Sequence, residues 1–186
     1  MNETIKTILN RRSIRTFLPE QIKESELKEI IGAGLYAPSA MNLQPWHFTV
    51  VQNSELIERL NEDIKKSLQG SGNKYLEAIV KRDGYHIFHH APTVIIVSGT
   101  EKSNFYQTDC AAATENMLLA AESLGIGTCW IGLAAFLFGS EDSQKYMKEM
   151  KIPEGFKPLY AIALGYKKDN VAKPPQRREG TVSYIK

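Results

Sequence analysis

The stretch from Phe105 to Leu124 constrains this chain more than any other, because it is alanine-rich and apolar on nearly every side. A helix of that kind is stable in water only when other elements surround it. Gly125 stands where such a helix is expected to stop, as a C′ residue. The chain must therefore build its remaining structure around one central hydrophobic helix.

Strands are the natural cover. Val94 to Val97 is a continuous apolar run opened by Pro92, of the kind found in a strand buried on both faces. Ile126 to Leu133 and Pro158 to Leu164 read the same way, and His47 to Val51 is a short run of β-formers. Helical spacing appears at Ile5, Ile8 and Leu9, in a helix that ends at Arg11-Arg12-Ser13. A second helix carries Leu27, Ile30, Ile31 and Leu35 behind Ser25 as N-cap. A third carries Leu56, Ile57, Leu60 and Ile64 behind Ser54, and Gly70-Ser71-Gly72 breaks it. Lys74 to Lys81 is a short amphipathic stretch, and a further helix runs from Ser140 or Glu141 to Met150. There is no strict βαβ alternation, and no GxGxxG follows the first strand, which argues against a Rossmann dinucleotide site. The expected class is α+β: a central mixed or antiparallel sheet of four or five strands flanked by helices.

With 186 residues the chain suits one domain spanning residues 1–186. Its 42% apolar and 24% charged content is that of an ordinary globular protein. The 23 basic residues nearly balance the 21 acidic ones, so no broad field draws in nucleic acid, and any basic site must be local. The N-terminal MNETIKTILNRR lacks the apolar core of a signal peptide, and the longest apolar runs are too short to span a bilayer. No membrane partner is expected, and the expected location is the cytoplasm. Cys110 and Cys129 form no CxxC and read as buried reduced thiols.

Two clusters carry chemistry. Arg11-Arg12-Ser13-Ile14-Arg15 offers three guanidiniums and a hydroxyl within five residues. Such forks donate paired hydrogen bonds to phosphate oxygens, although a solvated basic surface at a helix end would look similar. In an extended stretch Arg11, Ser13 and Arg15 would project to one side and Arg12 to the other. The second cluster, Ala37-Pro-Ser-Ala-Met-Asn-Leu-Gln-Pro-Trp-His-Phe48, is a loop shaped by two prolines. Its Asn42 and Gln44 suit the C=O and N–H edge of a heterocycle, while Trp46 and Phe48 suit a core anchor. His86, His89 and His90 have no carboxylate or cysteine at ligand spacing beside them, so no metal site is expected. Asp109 and Glu115 read as groups that satisfy a buried helix, and Lys65-Lys66 and Lys167-Lys168 as solvated faces.

Taken together, RRSIRTF and APSAMNLQPWHFTVV resemble the FMN-dependent nitroreductase family. The buried alanine-rich helix, then LGIGTCWIG from Leu124, then ALGY from Ala163 and a basic C-terminal arm follow in the family's order over essentially the whole chain. The arginine cluster and the PSAMNLQPW loop are the specific motifs; the others are supportive. The resemblance implies an NAD(P)H oxidoreductase that binds FMN, takes electrons from NADH or NADPH, and reduces small electron-poor organics such as nitroaromatics and quinones. Hydride would pass through flavin N5 in ping-pong fashion, with no catalytic side chain required. It also implies a homodimer with FMN at the subunit interface and an arm, residues 166–186, docking on the partner.

By the same resemblance, Arg11, Arg12, Ser13 and Arg15 would hold the phosphate and ribityl chain, with Arg15 reaching the pyrimidine edge. Pro38, Ser39, Ala40 and Asn42 would come from the second subunit, and Gln44 would join the contact. Trp130, Ile131, Gly132 and Leu133 would lie against the isoalloxazine, and Arg177 or Arg178 would return to the phosphate. Asn73 stands where some relatives contact the flavin. PPQRRE departs from the family's usual arm, which leaves the choice between the two arginines open. Relatives of the same fold also resemble reductive dehalogenases, ene-reductases and flavin-fragmenting enzymes, and an FMN-binding redox sensor without turnover would share the motifs.

Overall fold

A computed structural model describes residues 1–138, 143–169 and 173–186. The chain orders as α1 (Glu3–Asn10), α2 (Glu24–Leu35), β1 (Trp46–Val51), α3 (Ser54–Gln69), α4 (Lys74–Val80), β2 (Thr93–Thr100), α5 (Tyr106–Ser123), β3 (Ile126–Ile131), α6 (Ala135–Phe138), α7 (Ser143–Glu149) and β4 (Phe156–Tyr166). The strands form one four-stranded sheet in the order β1-β2-β4-β3, and every pairing is antiparallel. This is the expected α+β class. A register shift at Val97/Ser98 places Pro158 opposite Ser98, at the irregularity where a strand tolerates a residue with no N–H.

Side chains alternate across the sheet and build a core on each face. On one face Ile95, Val97, Ile162 and Leu164 pack with Cys110, Ala113, Met117 and Ala121 of α5 and Ile30 of α2. On the other, Val94, Ile96, Ala161 and Ala163 pack with Ile57, Leu60, Ile64 and Leu68 of α3 and with Tyr146 of α7. The alanines of α5 let the helix lie close to the sheet. Gly34 of α2 does the same between helices, since a Cβ there would stand 2.8 Å from the Met117 side chain.

Element ends differ from expectation by a residue or two. Asn53, not Ser54, caps α3, accepting from the Leu56 N–H at 2.8 Å. α2 starts at Glu24, and Glu26 reaches back to accept from the Lys23 N–H, so Ser25 is not its cap. β3 ends at Ile131, and Gly132 and Leu133 already belong to a 3-10 turn. The expected start of the last helix at Ser140 or Glu141 lies outside the described residues. No helix among the described residues is long and apolar enough to cross a membrane. Cys110 and Cys129 are free and buried.

Candidate functional site

α1 ends as Arg11 N–H donates to Thr7 O at 2.9 Å, and the chain then runs extended along the sheet edge. Ser13 bridges Thr128 of β3, with Ile14 N–H donating to Thr128 O at 2.8 Å, and Phe17 bridges Lys167. Ile14 and Phe17 turn into the core, which leaves Ser13 and Arg15 facing out. The close approach depends on Gly127, where a Cβ would stand 3.0 Å from both Ile14 and Lys167 side-chain atoms. Lys167 itself is not on a solvated face as expected. It is half-buried and pairs with Glu122 at 2.8 Å.

Beside this segment lies a cavity of about 320 Å³ lined by Arg11, Arg12, Ser13, Arg15, Lys173, Pro175 and Arg177. Arg12 does not project away from its neighbours as simple alternation suggests. Its Nη1 donates to Leu9 O and Arg11 O, both at 2.7 Å, folding it onto the end of α1 while it still lines the cavity. Arg11 stands 3.7 Å from Glu115. Arg177 reaches the cavity and Arg178 is not among its lining residues. Lys173 is the residue sequence reasoning missed; its signal was its place one position before the Pro174-Pro175 pair that spaces it from Arg177.

The Pro38–Gln44 loop is rigidly built yet exposed. Met41, Asn42 and Gln44 all take left-handed backbone, with φ between 47° and 55°, a conformation non-glycine residues hold only under constraint. The buried Asp109 of α5 supplies much of it, both carboxylate oxygens lying 3.3 Å from the Ala40 N–H. Ser39 Oγ accepts from the Gln44 N–H at 3.0 Å, and the Gln44 amide donates to Asn42 Oδ1 at 3.0 Å. Trp46 anchors the loop, buried and stacked on Phe48. Pro38, Ser39, Ala40, Asn42 and Gln44 do not line the arginine cavity of their own chain.

At the end of β3, Trp130 is 36% exposed and lies tilted on Tyr160 at 4.4 Å, while Ile131 is buried and Gly132 exposed. The Ser13–Thr128 bridge sets this stretch directly beside the arginines. Asn73 caps α4, its Oδ1 accepting from the Tyr75 and Leu76 N–H groups, so only its amide NH₂ remains to face a ligand.

Electrostatics tie these parts together. Burial, reinforced by the Arg15 charge, pushes His89 down to about 4. Burial raises Cys129 against the opposing pull of Arg15 and Arg11, and raises Tyr85 against that of Arg15. Cys110, on the buried face of α5, is pushed up to about 12 by burial and the Asp109 charge.

One expectation about the histidines is corrected. A carboxylate does stand beside them: Glu58 of α3, remote in sequence, lies 3.2 Å from His86 Nε2, and ligand atoms of Glu58, His86 and His90 fall within 4.8 Å of one another. However, His86 Nδ1 accepts from two backbone N–H groups. The neutral ring therefore carries its proton on Nε2, the atom a cation would need, and metal-bound histidines show the opposite arrangement.

A sequence profile of the Nitroreductase family matches residues 8–166. The chain belongs to the nitroreductase family. Among solved nitroreductase structures, one with bound FMN from Bacteroides fragilis superposes with a TM-score of 0.93 at 38% identity, covering 100% of both chains. Another with bound FMN, from Desulfitobacterium hafniense, gives 0.92 at 30% identity, again over 100% of both chains. Among curated proteins, the FMN reductase (NADPH) of Bacillus subtilis is 25% identical over 186 residues, which is 95% of this chain and 70% of that one.

Proposed function

We propose that this chain is an FMN-dependent NAD(P)H oxidoreductase that reduces small electron-poor organics, nitroaromatics and quinones among them, and that residues 1–186 act as one domain within a cytoplasmic homodimer. The observation that carries the reading is the cavity where five cationic side chains from two remote segments converge, Arg11, Arg12 and Arg15 with Lys173 and Arg177. Its donor set fits a phosphate ester. Arg12 Nε is buried without a partner among the described residues, which suits an incoming acceptor.

When bound, FMN supplies hydride chemistry, accepting from NADH or NADPH and delivering to the acceptor in alternating half-reactions. The protein's task is to hold and tune it. Arg11, Arg12, Ser13, Lys173 and Arg177 hold the phosphate end. Arg15 places a fixed positive charge at the pyrimidine edge, worth about 4 kcal/mol at contact in an effective dielectric of ~20, before desolvation. Trp130, Ile131, Gly132 and Leu133 form the wall against the ring, and Asn73 offers its amide from the start of α4. Pro38, Ser39, Ala40, Asn42 and Gln44 reach the site of the partner subunit.

The dimer is supported by what one chain leaves uncovered. α1 is amphipathic but buries no residue, so Ile5, Ile8 and Leu9 face outward. Tyr36, just before the loop, and Met41, within it, are 91% and 85% exposed. Apolar surface of this kind marks an interface.

The test is an anaerobic absorption spectrum of the purified protein before and after NADH, then NADPH. Flavin bands that bleach within seconds confirm cofactor and donor together. A yellow protein indifferent to both nucleotides points to the sensor, and a colourless protein that takes up no added FMN overturns the proposal.

A further inference from the structure

His86 Nδ1 accepts from the Phe88 N–H at 3.0 Å and from the His90 N–H at 3.3 Å, which bars that ring from ligating a cation and gives it a different part. Its one proton sits on Nε2 and points at Glu58 Oε1, 3.2 Å away. The His86 side chain is 2% exposed and packs edge-on to Phe88, so both directions are fixed. The Nδ1 end holds the backbone of His90, whose φ of 55° follows the same value at His89. The Nε2 end holds the carboxylate of Glu58 on α3. One buried imidazole thus braces two groups remote in sequence, and both braced groups, Glu58 and His90, are exposed.

The braced groups are the ones able to bind. A carboxylate keeps about three of its roughly four lone-pair sites after accepting one hydrogen bond. The His90 ring lies 4.2 Å from the His86 ring, and among the described residues no hydrogen bond engages it. Ligand atoms of Glu58 and His90 fall within 4.8 Å of each other. An ion about 2.0–2.2 Å from each of two such atoms holds them about 3–4 Å apart, a closure that two exposed side chains reach by rotation. Both line a cavity of about 230 Å³, together with Gln21, Gln52 and Ser54. Water takes about 30 Å³ a molecule in the liquid, so the cavity accommodates a cation and several waters. It shares no lining residue with the arginine cavity.

We infer that Glu58 and His90 form a binding site for a divalent transition ion such as zinc, with His86 as the positioning residue that orients both ligands. Imidazole paired with carboxylate suits zinc, nickel or copper, whereas an all-oxygen set suits magnesium or calcium. His86 stands as outer-shell residues do, donating to a ligating carboxylate from a fixed ring. Structural zinc sites use four protein ligands; two, completed by water, make a site that loads and unloads. An ion there would tie α3 to the turn before β2, and the inference is independent of the flavin reading.

The experiment is calorimetric titration of the full chain with zinc chloride in near-neutral, non-chelating buffer, which should show one saturable site. His90→Asn removes the imidazole yet suits left-handed backbone, and should weaken zinc binding at least about tenfold. His86→Asn isolates the positioning role. Its Oδ1 stands where Nδ1 stood and accepts the same N–H groups, but nothing donates from the Nε2 position. It should cost about tenfold to a hundredfold in zinc affinity while the turn's amide exchange stays that of the wild type. Zinc affinity unchanged in either variant overturns the inference. Imidazole ¹⁵N shifts read the roles directly: zinc should move His90 and leave His86 as the Nε2–H tautomer. A shift at His47 or His89 without one at His90, or a His86 driven to the Nδ1–H tautomer, overturns it. So does a chain that binds no zinc, or that binds magnesium as tightly.

Discussion

Arg177 and Arg178 are neighbours in sequence, and only the first lines the cavity. A charge-assisted contact to phosphate is worth roughly 1.5–3 kcal/mol. Arg177→Ala and Lys173→Ala should therefore each weaken FMN binding by about tenfold to a hundredfold, and Arg178→Ala by far less, as titration of the apoprotein with FMN would read. Equal losses at 177 and 178 would mean that the arm docks differently. Asp109 supports a second residue-scale expectation. Asp109→Asn keeps shape but removes the charge that both carboxylate oxygens bring to the Ala40 N–H. The strained loop should loosen, with faster amide exchange at Ala40 to Gln44 and weaker dimerisation. Each of the two clusters, read alone, suited an ordinary basic surface or turn as well as chemistry, and only their resemblance to family motifs singled them out; the structure gathers Arg11, Arg12, Ser13, Arg15 and Arg177 around one cavity and leaves the loop residues off it. The sequence was silent on Glu58 beside His86, because that contact is made across a tertiary fold and leaves no spacing to read.

Elements were legible where periodicity decides and blurred where single hydrogen bonds decide. The buried face of α3 at Ile57, Leu60 and Ile64 follows from 3.6-residue spacing alone. Its cap moved by one residue because Asn53 and Ser54 are both good caps, and only the backbone selects which oxygen meets the Leu56 N–H. β3 was read two residues too long because apolar content continues through Leu133 after the ladder to β4 has ended at Ile131. The approach of the arginine segment to β3 hinges on Gly127, a position sequence marks only as another glycine. Gly127→Val should force Ile14 and Lys167 outward. FMN affinity should fall more steeply than expected from the loss of stability, which at about 1–3 kcal/mol is typical of overpacking. Affinity kept alongside a lowered Tm would show that the segment docks independently of this contact.

At the scale of the molecule, the apolar surface and the arm demand the same explanation. Val182, Tyr184 and Ile185 are exposed, and Ile185 fully so, in a TVSYI stretch that alternates as a strand does. β1 is an edge strand of the sheet, and a groove of about 420 Å³ runs beside it between His47–Asn53 and Glu149–Lys151. An unpaired edge invites another strand, and in a twofold dimer each arm can serve the other subunit's edge. Yet Lys173 and Arg177, near the root of the same arm, line the arginine cavity of their own chain. The arm would then perform two tasks in sequence, fastening phosphate first and partner second. Two truncations separate them. Removing residues 181–186 should weaken the dimer in sedimentation velocity while each subunit keeps the phosphate contacts of Lys173 and Arg177. Removing residues 173–186 should cost both, with FMN lost even at protein concentrations where any remaining dimer is saturated. If the shorter truncation stays fully dimeric, the exposed faces of α1 and the Tyr36–Leu43 region hold the subunits together alone, and the arm serves the phosphate only.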